Sequence, residues 1–184
     1  MNIKGAVWVA AVLYIALGVI AITVILGAGL PLIQKMKERN TIAQTKDLMQ
    51  VLDETIRRVA SEGPGSQRQL SPFVIKVGEL TVDELDNAQV GSNTIYWKSK
   101  TGAVIMEPGA SKKEGNLGVE LDATHIEGEY EVTLRLDYRN FLDIALVSDF
   151  GNPFSGDFSL LIRNTGRFND DPIEPLPIIE IVIS

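Results

Sequence analysis

The side chains that most often carry out chemistry in proteins are scarce in this chain. It contains one histidine, His125, and no cysteine. A Ser-His-Asp triad would have a single candidate base, and a thiolate or multi-histidine metal site has no ligands. His125 lies between Asp122 and Glu127, in a polar stretch between two predicted strands. That setting indicates an exposed loop, so we predict no catalytic residue and no cofactor.

Acidic side chains are the remaining candidates for chemistry. Asp149, Asp157, Asp170 and Asp171 supply the oxygen ligands that calcium prefers. None lies in an Asp-x-Asp-x-Asp-Gly loop, so we interpret them as solvated loop residues and expect no metal. Strands can bring distant carboxylates together for glycoside hydrolysis, but no pair is singled out by the sequence. An anchored enzyme is therefore the least favoured class.

The charge balance also excludes a class of partner. The formal net charge is −7 and the pI is about 4.8. Because the chain has no stripe of Lys and Arg to neutralise phosphates, we expect no nucleic-acid partner.

The first part of the chain predicts a membrane-spanning helix. No charged residue occurs from Ala6 to Ile33. A bilayer core of about 30 Å needs only about 20 apolar residues, so this run is long enough to cross it. A cleavable secretory signal has a much shorter apolar region, so we do not expect the whole segment to be removed.

Lys4 and Gly5 stand immediately before this apolar run. A basic residue and a glycine at that position resemble the class III signal of archaeal type IV pilins. The resemblance implies that a prepilin peptidase cuts between Gly5 and Ala6, so that 1–5 is a leader and Ala6 becomes the new N-terminus. Bacterial pilins carry a Glu where this chain has Ala10, and they usually begin with an aromatic residue, so the archaeal group is the closer match. An uncleaved signal-anchor helix is the alternative.

The resemblance also implies roles for residues within the helix. The segment 6–33 would lie in the membrane before assembly and form the filament core afterwards. The side chains expected to pack in that core are Val7, Val9, Leu13, Leu17, Ile20, Val24 and Leu30. Gly27, Gly29 and Pro31 interrupt the run, and we expect a kink or a short melted stretch there.

Flanking charge alone gives a different orientation. Lys35, Lys37 and Arg39 follow the span, offset by Glu38, whereas Lys4 and the amino terminus precede it. The positive-inside rule slightly favours a cytoplasmic C-terminus. The Lys-Gly motif implies the reverse, and we follow the motif.

The helix is predicted to continue beyond the membrane. Apolar residues recur every three or four positions after Gln34, and charged residues occupy the positions between them, which is typical of an amphipathic helix. The face expected to pack on the rest of the protein comprises Ile42, Met49, Leu52, Ile56 and Val59. Ser61-Glu62-Gly63-Pro64-Gly65 should end the helix, giving a helical region 6–62.

The remainder, 66–184, is predicted to be a β-rich head. Residues 130–138 alternate between apolar and polar, as one face of a strand buried and the other in water requires. Further strands are predicted at Phe73–Val77, Glu79–Asp83, Thr94–Lys98, Ala103–Glu107, Leu117–Leu121, Leu142–Val147, Phe158–Ile162 and Ile179–Ile183, and Phe168–Pro177 is predicted to be a loop. About nine short strands and no second helix indicate an antiparallel β-sandwich, hence an α+β protein.

The sequence leads to two functional hypotheses. The resemblance implies a structural subunit of an extracellular type IV pilus-like filament, with self-association through the helix, an exposed head for adhesion, and the prepilin peptidase and pilus assembly machinery as partners. The protein would lie in the cell membrane before assembly and at the cell surface afterwards. The alternative is a single-pass surface protein whose head binds a ligand or partner.

Overall fold

One long helix forms the first third of the protein. The computed structural model describes residues 3–84, 93–149, 151–169 and 175–184, with side chains from residue 8 onward. Helix α1 runs from Ile3 to Glu62 without a break. At about 1.5 Å per residue it is roughly 90 Å long.

The C-terminus of α1 is capped by hydrogen bonds from residues of the head. Gly63 follows the last helical residue with φ of 91°, the left-handed conformation that ends many helices. The Ser66 hydroxyl donates to the carbonyl oxygen of Val59 at 2.7 Å, and the Asn164 amide approaches the same oxygen at 3.5 Å. Carbonyl groups of the last turn, which lack partners within the helix, are thereby bonded by head residues.

Eight strands follow the helix. Their bounds are β1 Gln67–Asp83, β2 Thr94–Thr101, β3 Ala110–Glu114, β4 Leu117–Ala123, β5 Tyr130–Asp137, β6 Asp143–Ser148, β7 Phe154–Phe168 and β8 Pro177–Ile183. They form one hydrogen-bonded sheet in the order β3-β4-β5-β2-β1-β7-β8-β6. All neighbours are antiparallel except β6 and β8, which are parallel.

The sheet must curl. Strand β5 is third in the order and β6 is last, so a flat sheet would separate them by about 24 Å. The chain from Asp137 to Asp143 spans at most about 22 Å. Asn93, directly before β2, bonds to both ends of this connection. Its carbonyl oxygen accepts from the Tyr138 amide at 3.0 Å, and its side-chain oxygen accepts from the Ile144 amide at 2.9 Å. The sheet therefore wraps around the helix, which contacts β1, β5, β7 and β8.

A glycine allows β1 to change partner along its length. The strand pairs with β7 from Gln67 to Ile75, with a register shift between Leu70 and Phe73, and with β2 from Glu79. Between these regions Gly78 has φ of 79°, and a Cβ atom there would lie 2.4 Å from the carbonyl oxygen of Lys98. Only glycine fits this close approach.

The α+β class, with a long helix followed by a β-rich head, is confirmed. The strands lie in one continuous curled sheet, where the expected sandwich would have two separate sheets. The strand predicted at Ala103–Glu107 was wrong, because these residues form a loop that bonds to the helix. Strand β3 was missed because Ala-Ser-Lys-Lys-Glu has no apolar alternation. The two segments predicted from Phe73 to Asp83 are parts of the single strand β1. Within the predicted loop Phe168–Pro177, residues 170–174 lie outside the described residues.

Candidate functional site

The most unusual surface of the protein is the apolar half of α1. Its described large side chains are between 51% and 76% exposed from Trp8 to Ile33. They include the predicted filament-core residues Val9, Leu13, Leu17, Ile20, Val24 and Leu30; the side chain of Val7 lies outside the description. By length and composition this helix is long and apolar enough to cross a membrane, and none of its most apolar window is buried by the head.

The predicted processing site lies at the start of this helix. Lys4, Gly5 and Ala6 have helical backbone, within an α1 that begins at Ile3. The prediction that a peptidase cuts after Gly5 stays a prediction.

The predicted interruption of the helix is not a melted stretch. Gly27, Gly29 and Pro31 all lie within the unbroken helix α1. A Cβ atom on either glycine would meet nothing within 4 Å. The two glycines therefore leave an open surface on the isolated chain, one that another helix can approach closely.

The predicted head-facing residues are placed on the core side of α1. Ile42, Met49, Leu52, Ile56 and Val59 are all less than 8% exposed. They pack in one cluster with buried side chains from the sheet. The amphipathic half of the helix therefore packs inside the curled sheet, and it shares one hydrophobic core with the head.

A polar clamp holds α1 just beyond the apolar half. One carboxylate oxygen of Glu38 accepts from the Thr101 hydroxyl at 2.9 Å and from the Gly102 amide at 2.8 Å. The Arg39 guanidinium donates to the carbonyl oxygen of Val104 at 2.9 Å. We name residues 101–106 the clamp loop. Sequence reasoning treated Glu38 and Arg39 only as flanking charges, since nothing local reveals the loop that receives them.

A second group of polar contacts ties the helix to the sheet near its C-terminal end. Asp53 accepts from the Tyr138 hydroxyl and the Asn116 amide, each at 2.9 Å, and from Arg57 at 3.1 Å. Arg57 in turn lies 5.0 Å from the centre of the Phe141 ring. Burial raises the pKa of Tyr138 well above its usual value, and the neighbouring Asp53 charge raises it further. The i,i+4 spacing of Asp53 and Arg57 was visible in the sequence, but their partners in the head were not.

The β3–β4 hairpin is attached near these contacts. Lys46 of the helix forms an ion pair with Glu114, which also pairs with Lys112 at 3.2 Å. The hydrogen bond from Lys46, followed by that from Lys112, holds the pKa of Glu114 below its usual value. A cavity of about 430 Å³ lies beside them, lined by Asp53, Glu114 and neighbouring residues. Two of its acidic groups, Asp53 and Glu114, already have partners within the fold.

The other candidates for chemistry do not come together. His125 is exposed in the turn after β4, and Asp149 and Asp157 are exposed, while Asp170 and Asp171 lie outside the described residues. Across residues 3–84, 93–149, 151–169 and 175–184, no three His, Asp or Glu side chains are grouped so that they could hold a metal ion.

The fold defines a class of protein: a β-rich head built around one half of a helix whose other half is an exposed apolar rod. Comparison of the chain with protein-family models, with curated proteins and with solved structures finds no match. The helix weakly suggests association with a membrane, as an anchor or a signal.

Proposed function

We propose that this protein is a structural subunit of an extracellular filament resembling archaeal type IV pili. The observation that carries the proposal is the division of a single helix. From Trp8 to Ile33 it carries no charge and its large side chains are exposed, whereas from Ile42 to Val59 its apolar face is built into the core of the head. Such a helix can pass from lipid to a bundle of like helices without refolding the head.

The apolar half of the helix needs apolar surroundings both within the bilayer and outside it. Within a bilayer, lipid surrounds these side chains and the backbone is bonded internally. Outside the bilayer, water contact would cost on the order of tens of kcal/mol at about 25 cal/mol per Å². A bundle of identical helices removes that cost, and small residues such as Ala10, Gly18 and Ala21 permit close packing.

The resemblance supplies the remaining steps. A prepilin peptidase would remove the leader 1–5 on the cytoplasmic side of the membrane, and the assembly machinery would then add the subunit to a filament. The head would lie on the filament exterior, where adhesion is the function that suits an exposed β domain.

The test is the mass of the intact mature protein from its native envelope, combined with electron microscopy of sheared surface filaments. We expect a chain that begins at Ala6 and filaments that contain it. A chain that retains Met1–Gly5 and stays monomeric in the membrane would contradict the proposal. It would support the alternative, a single-pass surface protein whose head binds a ligand.

A further inference from the structure

One end of the head carries exposed apolar side chains that the hydrophobic core does not use. Among the described residues of the head, the large apolar side chains that remain exposed are Val77, Val104, Ile126, Phe141, Val147 and Phe168. The first three are between 43% and 50% exposed. Val77 and Val104 belong to segments that meet the helix just after its apolar half, Ile126 belongs to a turn beside them, and we name the three residues the proximal rim.

The contacts of the proximal rim fix its position along the helix. Val104 lies in the clamp loop, and its carbonyl oxygen bonds Arg39. Val77 lines a cavity of about 220 Å³ that Gln34 and Lys37 also line.

Ile126 lies in the β4–β5 turn, which adjoins the clamp loop. A Cβ atom on Gly102 would lie 3.7 Å from the carbonyl oxygen of Gly128, two residues beyond Ile126. The Lys100–Glu129 ion pair at 3.2 Å joins the same turn to the end of β2.

This position lies at the outer edge of the headgroup layer of a bilayer. If the hydrocarbon ends at Ile33 and the helix stands upright, then Glu38 and the clamp loop stand about 7.5 Å further along the helix axis. The headgroup layer on each side of a bilayer is about 5–7 Å thick, so an upright helix holds the clamp loop just outside it. The apolar stretch from Trp8 to Ile33 is about 39 Å long, which exceeds the hydrocarbon thickness, and such helices tilt. Tilting lowers one side of the head toward the lipid.

The charges around the proximal rim do not oppose this contact. Lys35, Lys37, Lys76 and Lys100 surround it as exposed cations, and Arg39 bonds the carbonyl oxygen of Val104. The acids of the same end are Glu38, which the clamp loop binds, Glu129, which pairs with Lys100, and the exposed Glu79, Glu107 and Glu127. Because the signs are nearly balanced, apolar contact rather than anionic lipid is the source of binding.

We propose that the proximal rim rests on the headgroup layer of the membrane while the subunit awaits assembly. The clamp loop and the β4–β5 turn insert Val104 and Ile126 among the headgroups, and the head is held at a defined tilt. This inference rests on the membrane-anchored state of the proposed function.

Spin labels at single cysteines test it, because the natural chain has no cysteine. The full chain carrying Ile126→Cys or Val104→Cys is labelled with a nitroxide and reconstituted into phosphatidylcholine vesicles. Phe168→Cys is the matched control, since Phe168 is an exposed apolar residue near the opposite end of the head, two residues from Gly166, which contacts Pro64. Collision rates with oxygen and with a water-soluble nickel chelate report the depth of each label.

We expect the oxygen-to-nickel ratio at positions 126 and 104 to be several-fold higher than at position 168. Equal ratios at all three positions, in chains that float with the vesicles, would overturn the inference and leave the anchor intact. A chain that does not float with the vesicles would overturn the anchored state itself and this inference with it.

Discussion

The shared core of helix and head gives the sharpest prediction, at two adjacent helix positions. Leu52 is 1% exposed and faces the sheet, whereas Val51 is 47% exposed and faces solvent. Replacing a fully buried leucine by alanine removes its burial and leaves a cavity, at a cost of about 2–5 kcal/mol. For Leu52→Ala we expect the free energy of unfolding to fall by about 3 kcal/mol. For Val51→Ala we expect a change within about 0.5 kcal/mol, because exposed substitutions rarely exceed it and alanine is the better helix former.

The measurement is a urea titration of the full chain in detergent micelles. The chain has two tryptophans, Trp8 and Trp97. A Trp8→Phe background leaves the fully buried Trp97 as the reporter of head packing, and its fluorescence is followed with urea concentration. If Leu52→Ala unfolds within about 0.5 kcal/mol of Val51→Ala, the helix is not part of the head's core and the reasoning fails.

Three further predictions concern contacts that only the folded chain reveals. Gly78→Ala should destabilise the head by about 2 kcal/mol or more, because its left-handed backbone and the nearby Lys98 carbonyl leave no place for a Cβ atom. The control in the same urea titration is Gly151→Ala, whose Cβ atom would meet nothing within 4 Å. The raised pKa of Tyr138 means that the folded state favours its neutral form, so this contribution to stability is complete below pH 10 and is lost as pH rises above it. Tyr138→Phe should remove this part of the fall in the free energy of unfolding at alkaline pH. An unchanged dependence of that free energy on pH would contradict the assignment. Leu17→Lys should weaken membrane insertion by about 3 kcal/mol, seen as reduced flotation with vesicles, whereas Leu17→Ile should float like the natural chain.

The elements that depend on local periodicity were visible in the sequence. The charge-free run to Ile33 and the three-and-four spacing from Ile42 to Val59 predicted one long helix, and the helix ends at the Gly-Pro-Gly signal. Alternation predicted the strands that contain 130–137 and 179–183. In the amphipathic helix and the strands the period of the backbone places the apolar side chains on one face, and in the first segment the uninterrupted apolar run is itself the signal, so residue order alone carries the information.

Where alternation was absent or misleading, the prediction failed. The run from Ala103 to Glu107 is apolar enough for a strand, yet the backbone groups of Val104 and Ala103 bond to Arg39 and Thr101 within the clamp loop. Residues 110–114 are polar, yet they pair with β4 as an edge strand. An edge strand buries little, so its sequence is free to be polar, and lysine there discourages pairing with other chains.

The sequence by itself determined which parts of this protein are apolar, helical or extended, and therefore that a charge-free helix precedes a β-rich head. Only the tertiary structure decided that the strands form a single curled sheet wrapped around the helix, with β6 parallel to β8. It alone revealed that Glu38 and Asp53 tie the helix to the head. The physical reason is that the side of a helix or strand on which a residue lies follows from its neighbours in sequence. The side chains that it packs against lie dozens of residues away and are selected by the packing of the whole chain.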